Sequence, residues 1–317
     1  MSETRDALEQ MDLPRGDLHE LPDSPLRFAD GAHYRIEIPS TEGPDCLRAV
    51  LETATRLGVP VHRVSQGSGV FMLTDHELDD MAGVAREARV EVSLFARPNA
   101  GWDASATAAA PAGAMLAAAS RGQEQVVQGL EDIVRAAEHG IRSVLIADLG
   151  LLSAFSQMRS SGALPADMQA KLSALFPVTN PATARVLVQL GANTLNISSD
   201  LTLPQIAAIR AAVDVPIDFY LEAPDGLGGF VRHHDAPEIV RIAAPVYLKF
   251  GVRGAPDIYP WGGHIAPVAR ALSQERVRRA ALVLELLGRS GASFTTSALG
   301  AAGLALPVER SAIARAR

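Results

Sequence analysis

Hydrophobic and polar residues alternate in eight short runs between residues 34 and 251. The first run sets Arg35 and Glu37 between Tyr34, Ile36 and Ile38. The seventh sets Asp218, Tyr220 and Glu222 between Ile217, Phe219 and Leu221, and the eighth sets Tyr247 and Lys249 between Val246, Leu248 and Phe250. Side chains of a strand point alternately to its two faces, so each polar set shares a face. The pattern predicts strands over 34–39, 59–65, 90–97, 142–148, 170–176, 194–199, 216–222 and 245–251. Helical periodicity fills the intervals at 44–57, 75–88, 123–139, 150–161, 181–190, 203–212 and 236–243, and a last helix over 266–288 closes the series. Gly58 and Gly191 mark helix ends, and Thr74 followed by Glu77 reads as a capping box.

Eight strand–helix units in series predict an α/β protein with a single (β/α)8 TIM barrel. The expected division is an N-terminal arm at 1–30, the barrel at 31–288, and a C-terminal tail or extra helix at 289–317. A doubly wound sheet is the competing architecture. It would need a Gly-x-Gly-x-x-Gly after the first strand, and Gly67-Ser68-Gly69 after the second lacks the third glycine and the acidic partner. In a barrel wrapped by helices the apolar face of each strand meets the helices. The polar face then points inward, where an unpaired charge is costly.

Composition narrows the setting. Hydrophobic residues are 48% and charged residues 21%, the proportions of an ordinary globular enzyme. The net charge of −7 and the lack of a basic stripe argue against a nucleic-acid partner. No run approaches about 18 apolar residues, so no membrane span is expected. One cysteine, Cys46, leaves nothing for an intrachain disulfide or a cysteine-held iron–sulfur cluster and fits a reducing, cytoplasmic setting. Self-association into a homo-oligomer is a base-rate expectation only.

Catalytic groups of such barrels gather at the C-terminal ends of the strands. The inward polar residues therefore sort by depth. Arg35, Glu91, Lys171, Asn196 and Asp218 fall early in their strands and read as a compensated ionic layer. Glu37, Arg97, Asp148, Ser173, Ser198, Glu222 and Lys249 fall at or near strand ends. Strands seven, eight and one adjoin in a closed barrel, so Glu222, Lys249 and Glu37 are expected to form an arc. That arc is the candidate catalytic set, a carboxylate serving as base and the ammonium holding an anion. A plain buried ion-pair network is the structural alternative. Arg63, Arg97, His62, Asp148 and Ser198 are candidate substrate contacts, the arginines because a guanidinium grips carboxylate or phosphate in two places.

Glu37, Asp148 and Glu222 could instead hold Mg or Mn, with His233, His234, Asp235 and His264 as further donors. Gly262-Gly263-His264 lies where barrels often bind phosphate. Segments 98–122, 223–235 and 253–265 are candidate lids, with Trp102, Phe230, Tyr259 and Trp261 as covering aromatics.

Residues 176–213 read FPVTNPATARVLVQLGANTLNISSDLTLPQIAAIRAAV. An Asn before a helix, a Leu-Gly-Ala turn, a strand, and then Ser198-Ser199-Asp200-Leu201-Thr202-Leu203 with Ile206 resemble the central part of the peptidase U32 family. The resemblance extends over 31–288 and implies a barrel and a peptidase or peptide-binding activity. Members of that family carry a Cys shortly after the next strand, and their hydroxylating branches hold an iron–sulfur cluster with several. Here the stretch is Asp218-Phe219-Tyr220-Leu221-Glu222-Ala223-Pro224, with no Cys.

Three functions stand open. The first is an enzyme acting on a small anionic metabolite as lyase, isomerase or hydrolase. The second is a U32-type peptidase or peptide binder. The third is a barrel that binds a ligand without catalysis.

Overall fold

The computed structural model describes residues 2–97, 118–176 and 178–310. Eight parallel strands run β1 (Tyr34–Pro39), β2 (Val61–Gln66), β3 (Glu91–Phe95), β4 (Ser143–Ile146), β5 (Gln169–Leu172), β6 (Leu195–Asn196), β7 (Ile217–Glu222) and β8 (Val246–Phe250). Their order is β5-β4-β3-β2-β1-β8-β7-β6, with β1 paired to both β2 and β8. The ends of this sheet meet through a parallel bridge between Lys171 and Thr194, and Leu172 N donates to Thr194 O at 3.1 Å. The sheet therefore closes into the expected (β/α)8 barrel.

Nine helices are found among the described residues: α1 (Ser2–Gln10), α2 (Gly43–Leu57), α3 (Asp75–Ala88), α4 (Gly122–Glu138), α5 (Leu149–Ser160), α6 (Pro181–Gln189), α7 (Leu203–Ala212), α8 (Ala236–Ala243) and α9 (Ala266–Arg289). None is long and apolar enough to cross a membrane. Their boundaries follow local chemistry. Thr74 Oγ1 accepts from Glu77 N while Glu77 Oε2 accepts from Thr74 N, the reciprocal box expected from sequence. Asn180 caps α6 by accepting from Thr183 N at 2.9 Å. The core lies between barrel and helices, where Ile36, Val64, Leu94, Val144, Phe219 and Phe250 are buried on the outward strand faces.

Both ends of the chain pack against the barrel. The N-terminal arm begins as the helix α1, and its continuation is docked on the barrel. Leu18 N donates to Pro204 O and Ser24 N to Arg241 O. Leu18 and Leu21 pack on the main core, which is what holds a polar segment down. Described residues after α9 form no further helix. They run as an irregular strap under the N-terminal ends of the strands. Thr296 bridges to Tyr34, and Val308 N donates to Gly140 O at 2.9 Å. Its Gly300, Gly303 and small neighbours favour this over a helix. Trp102 and most of the 98–122 lid lie outside the described residues.

Candidate active site

Inward residues of seven strands meet in one buried charge network. Glu37 on β1 is its hub. Arg63 on β2 donates to Glu37 Oε2 through Nε at 2.8 Å and Nη2 at 2.5 Å. Ser65 Oγ donates to Oε1 at 2.8 Å. Lys171 Nζ from β5 stands 3.0 Å from the same oxygen, and Lys249 Nζ from β8 stands 3.6 Å from it. Asp218 on β7 pairs with Arg63, lies 3.4 Å from Lys171 Nζ, and accepts from Thr194 Oγ1 at 2.9 Å. Glu91 on β3 lies 3.8 Å from Arg63 Nη1. Oriented so that its oxygen meets donors, the Asn196 amide accepts from Lys249 Nζ at 2.6 Å. Two tyrosines add their faces, Tyr247 at 3.5 Å from the Arg63 guanidinium carbon and Tyr220 at 4.1 Å from Lys249 Nζ.

Burial and charge set the protonation states. Burial pushes the Glu37 carboxyl up, and Arg63, Lys171 and Lys249 more than reverse this, holding it well below the usual carboxylate range. Burial pushes the Lys171 ammonium down to about 8, with Asp218 and Glu37 opposing the fall. Burial works against the Arg63 cation too, but Asp218 and Glu37 outweigh it and raise its pKa well above the usual value. Glu37 is thus held as an anion and Arg63 as a cation, while burial makes the Lys171 ammonium easier to deprotonate than that of a free lysine.

The expected arc forms only in part. Glu37 and Lys249 meet, but Glu222 turns away. Tyr220 pairs with Lys249, and the next pairing is Glu222 with Phe250, so Leu221 is an extra residue in β7. This bulge moves Glu222 onto the helix-facing side, where Phe250 also points. There Glu222 lies 3.2 Å from His233 Nε2 and 3.6 Å from Arg279 Nε, and its Oε1 accepts from Arg253 N at 3.0 Å.

The division by depth also fails, because Glu37 and Lys249 share one network with Lys171 and Asp218. Strands of a barrel are tilted and staggered, so equal positions along different strands are not at equal height.

His62 occupies a second bulge, between the pairs Ile36–Val61 and Glu37–Arg63. Its Nδ1 accepts from Ile36 N at 3.0 Å, so Nε2 carries the hydrogen and donates to Ser297 O at 2.8 Å. Burial lowers its pKa to about 4. It ties the barrel floor to the strap, away from the strand ends. Asp148 caps α5, accepting from Leu151 N at 2.8 Å and from Ser120 N at 3.0 Å. Ser198 is half-buried after β6, and its N–H donates to Val178 O.

Arg97 lies at the mouth. Its Nη1 donates to Gly67 O at 3.2 Å, and its guanidinium is 6.0 Å from the Tyr259 ring centre. Gly67 is required there, since a Cβ would fall 2.6 Å from that ring. Trp261 is buried nearby, with its backbone N–H donating to Ser68 Oγ at 2.8 Å, while Phe230 is exposed.

Glu37, Asp148 and Glu222 are thus engaged in three separate sets and do not converge on an ion. No group of three His, Cys, Asp or Glu side chains among the described residues is placed to hold a metal.

Two groups escaped the sequence reading. Glu42 is fully buried at the mouth and accepts from Gly67 N at 2.7 Å and Ser68 N at 3.2 Å; burial raises its pKa despite those bonds. No pattern marks it, because it lies beyond the end of β1. Lys171 was placed in the structural layer, yet a signal was present. The chain has two lysines against 27 arginines, and those two are Lys171 and Lys249. Both are inside the barrel and at most 2% exposed.

The fold defines a (β/α)8 barrel, and comparison with known proteins adds a family match over part of it. Residues 113–222, about a third of the chain, match the model of Peptidase family U32. The matched stretch includes the segment 176–213 whose residues resemble that family. A solved structure titled as a U32 peptidase is 17% identical, with a TM-score of 0.43, and the match covers 72% of this chain and 96% of that one. Thiamine phosphate pyrophosphorylase from Pyrococcus furiosus is 12% identical, with a TM-score of 0.44 and coverage of 81% and 98%. A truncated 3-deoxy-D-arabino-heptulosonate 7-phosphate synthase from Thermotoga maritima is 14% identical, with a TM-score of 0.42 and coverage of 88% and 96%. No curated protein matches the chain.

Proposed function

We propose that the protein is an enzyme that moves a proton on a small anionic metabolite inside the barrel. Lys171 carries the proton, Lys249 holds the anionic group, and Glu37 positions both amines. The reading rests on one observation. A chain that uses arginine at every other basic position has lysine at two places, and both ammonium groups lie within 3.6 Å of the same Glu37 oxygen. A guanidinium would satisfy the ion pairs equally well but does not release a proton in a protein. An ammonium pushed down to about 8 does. Glu37 stays ionised and so serves as a fixed counter-charge. Proton transfer beside an anionic group is the chemistry of lyases and isomerases, and of hydrolases that activate water.

The test is a turnover screen in which wild-type protein, Lys171→Met and Lys171→Arg are incubated with a small-molecule extract and a peptide pool. The wild type should consume at least one anionic metabolite, and both variants should lose that activity while remaining folded. Equal consumption by the three proteins would sink the proposal. The match to a peptidase family favours peptide cleavage as a second reading. Loss of peptides with the metabolites untouched would favour it.

A further inference from the structure

On the N-terminal face, away from the strand ends, two hollows of about 550 and about 250 Å³ lie side by side. They share Gln169, Asn193, Ala302 and Gly303, so the strap forms a common wall. We propose that this face is a second ligand site, built for a small metabolite carrying two oxyanion groups, phosphate or carboxylate.

The charges carry the argument. Arg142 and Arg159 line the larger hollow, Arg27 and Arg35 the smaller one. The acids in the two walls are Asp167 and Asp214. Asp167 is already taken by Arg142, at 3.2 Å from its Nε. Arg27, Arg35 and Arg159 form no ion pair with a described carboxylate. Arg35 is linked to Asp30 through Ser297 Oγ, which accepts from Arg35 Nε and donates to Asp30. A protein of net charge −7 therefore gathers three guanidinium groups without an ion pair around two adjoining hollows that hold one unpaired acid. Guanidinium groups bind oxyanions in pairs of parallel hydrogen bonds.

The site is also rigid and shaped. Arg35 is buried and fixed by Ser297 Oγ, by Tyr247 OH at 3.1 Å, by Ala302 O at 2.7 Å, and by the Phe28 ring at 4.1 Å. Arg159 is held by Met168 O and Asn193 Oδ1, both at 2.8 Å, and by Gly191 O at 3.1 Å. In the wall itself, the N–H groups of Ala302 and Gly303 donate to no described residue. Small side chains leave that backbone open to an anion. The larger hollow alone has the volume of a small-molecule pocket.

Titration calorimetry on the full chain tests the site with pyrophosphate and with citrate, which separate phosphate from carboxylate as the preferred group. At least one should saturate below about 1 mM. Arg159→Gln and Arg27→Gln should each weaken that binding about tenfold, a loss of one charge-assisted contact. Arg27 is exposed and donates only to backbone carbonyls, so its variant carries the test should Arg159→Gln fail to fold. Lys171→Met should bind the probe as the wild type does, which separates this site from the barrel interior. The inference is overturned if neither probe saturates, if Arg27→Gln binds as tightly as wild type, or if Lys171→Met abolishes binding.

Discussion

Lys171 and Glu37 meet at 3.0 Å although their strands, β5 and β1, stand on opposite sides of the barrel. The contact crosses the full width of the interior. It explains why one carboxylate can serve two amines and an arginine, and why the network counts as a site and not only as a set of neighbouring ion pairs. Glu37→Gln should therefore reach beyond a single contact. It leaves Arg63, Lys171 and Lys249 with only Asp218 and Glu91, and breaking a buried pair from one side costs about 3–5 kcal/mol. Urea unfolding of the variant measures that loss. A change under about 1 kcal/mol would mean that Glu37 is not the hub.

His62 gives a pH dependence of known sign. Its folded pKa of about 4 lies below the unfolded value of 6.5, so between these the unfolded chain binds more protons. Its contribution is complete above pH 6.5 and is lost as pH falls towards 4, by up to about 3 kcal/mol. Protonating Nδ1 also removes the acceptor for Ile36 N. Unfolding free energy measured from pH 7 to pH 4 should fall less steeply in His62→Gln than in wild type.

Glu222 anchors the loop after β7 instead of the chemistry. His233 and Arg253 N lie in or beside that loop, and Arg279 belongs to α9. Burial raises its carboxyl, and the bonds from His233 and Arg253 N, helped by Arg279, bring it below the usual value. Glu222→Gln should speed amide hydrogen exchange in 223–235 and leave the exchange of β1 and β2 unchanged. Equal acceleration in both regions would place Glu222 in the central network after all.

The strap completes the barrel floor. Arg35 donates to Ser297 Oγ and Ala302 O, Ala305 N donates to Glu91, and His62 donates to Ser297 O. Truncation after residue 293 leaves these buried groups unpartnered, at about 1–3 kcal/mol each. The shortened chain should unfold at much lower urea, and a midpoint close to that of the full chain would show that the strap is dispensable.

The barrel was legible because a period of two and a period of 3.6 are both written plainly in the chain. Register was not. Each bulge adds one residue and turns the following side chain, which is how Glu222 left the arc and His62 came to lie between two strands. Depth was misread for a related reason, since the stagger of a closed barrel is a property of the whole sheet and of no single strand. Glu42 could not be seen from pattern because a loop has none. Lys171 is the opposite case. Its rarity was visible in the sequence, and only its pairing with Lys249 around Glu37 required the structure.

The protonation of Lys171 in the folded protein is the most direct test. Labelling lysine with ¹³C at the ε carbon gives two signals, since the chain has two lysines. One should titrate with a midpoint near 8, vanish in Lys171→Met, and move to higher pH when an anion binds beside it. If both signals titrate above about 10, as free lysine does, Lys171 holds its proton throughout and cannot carry the proposed chemistry.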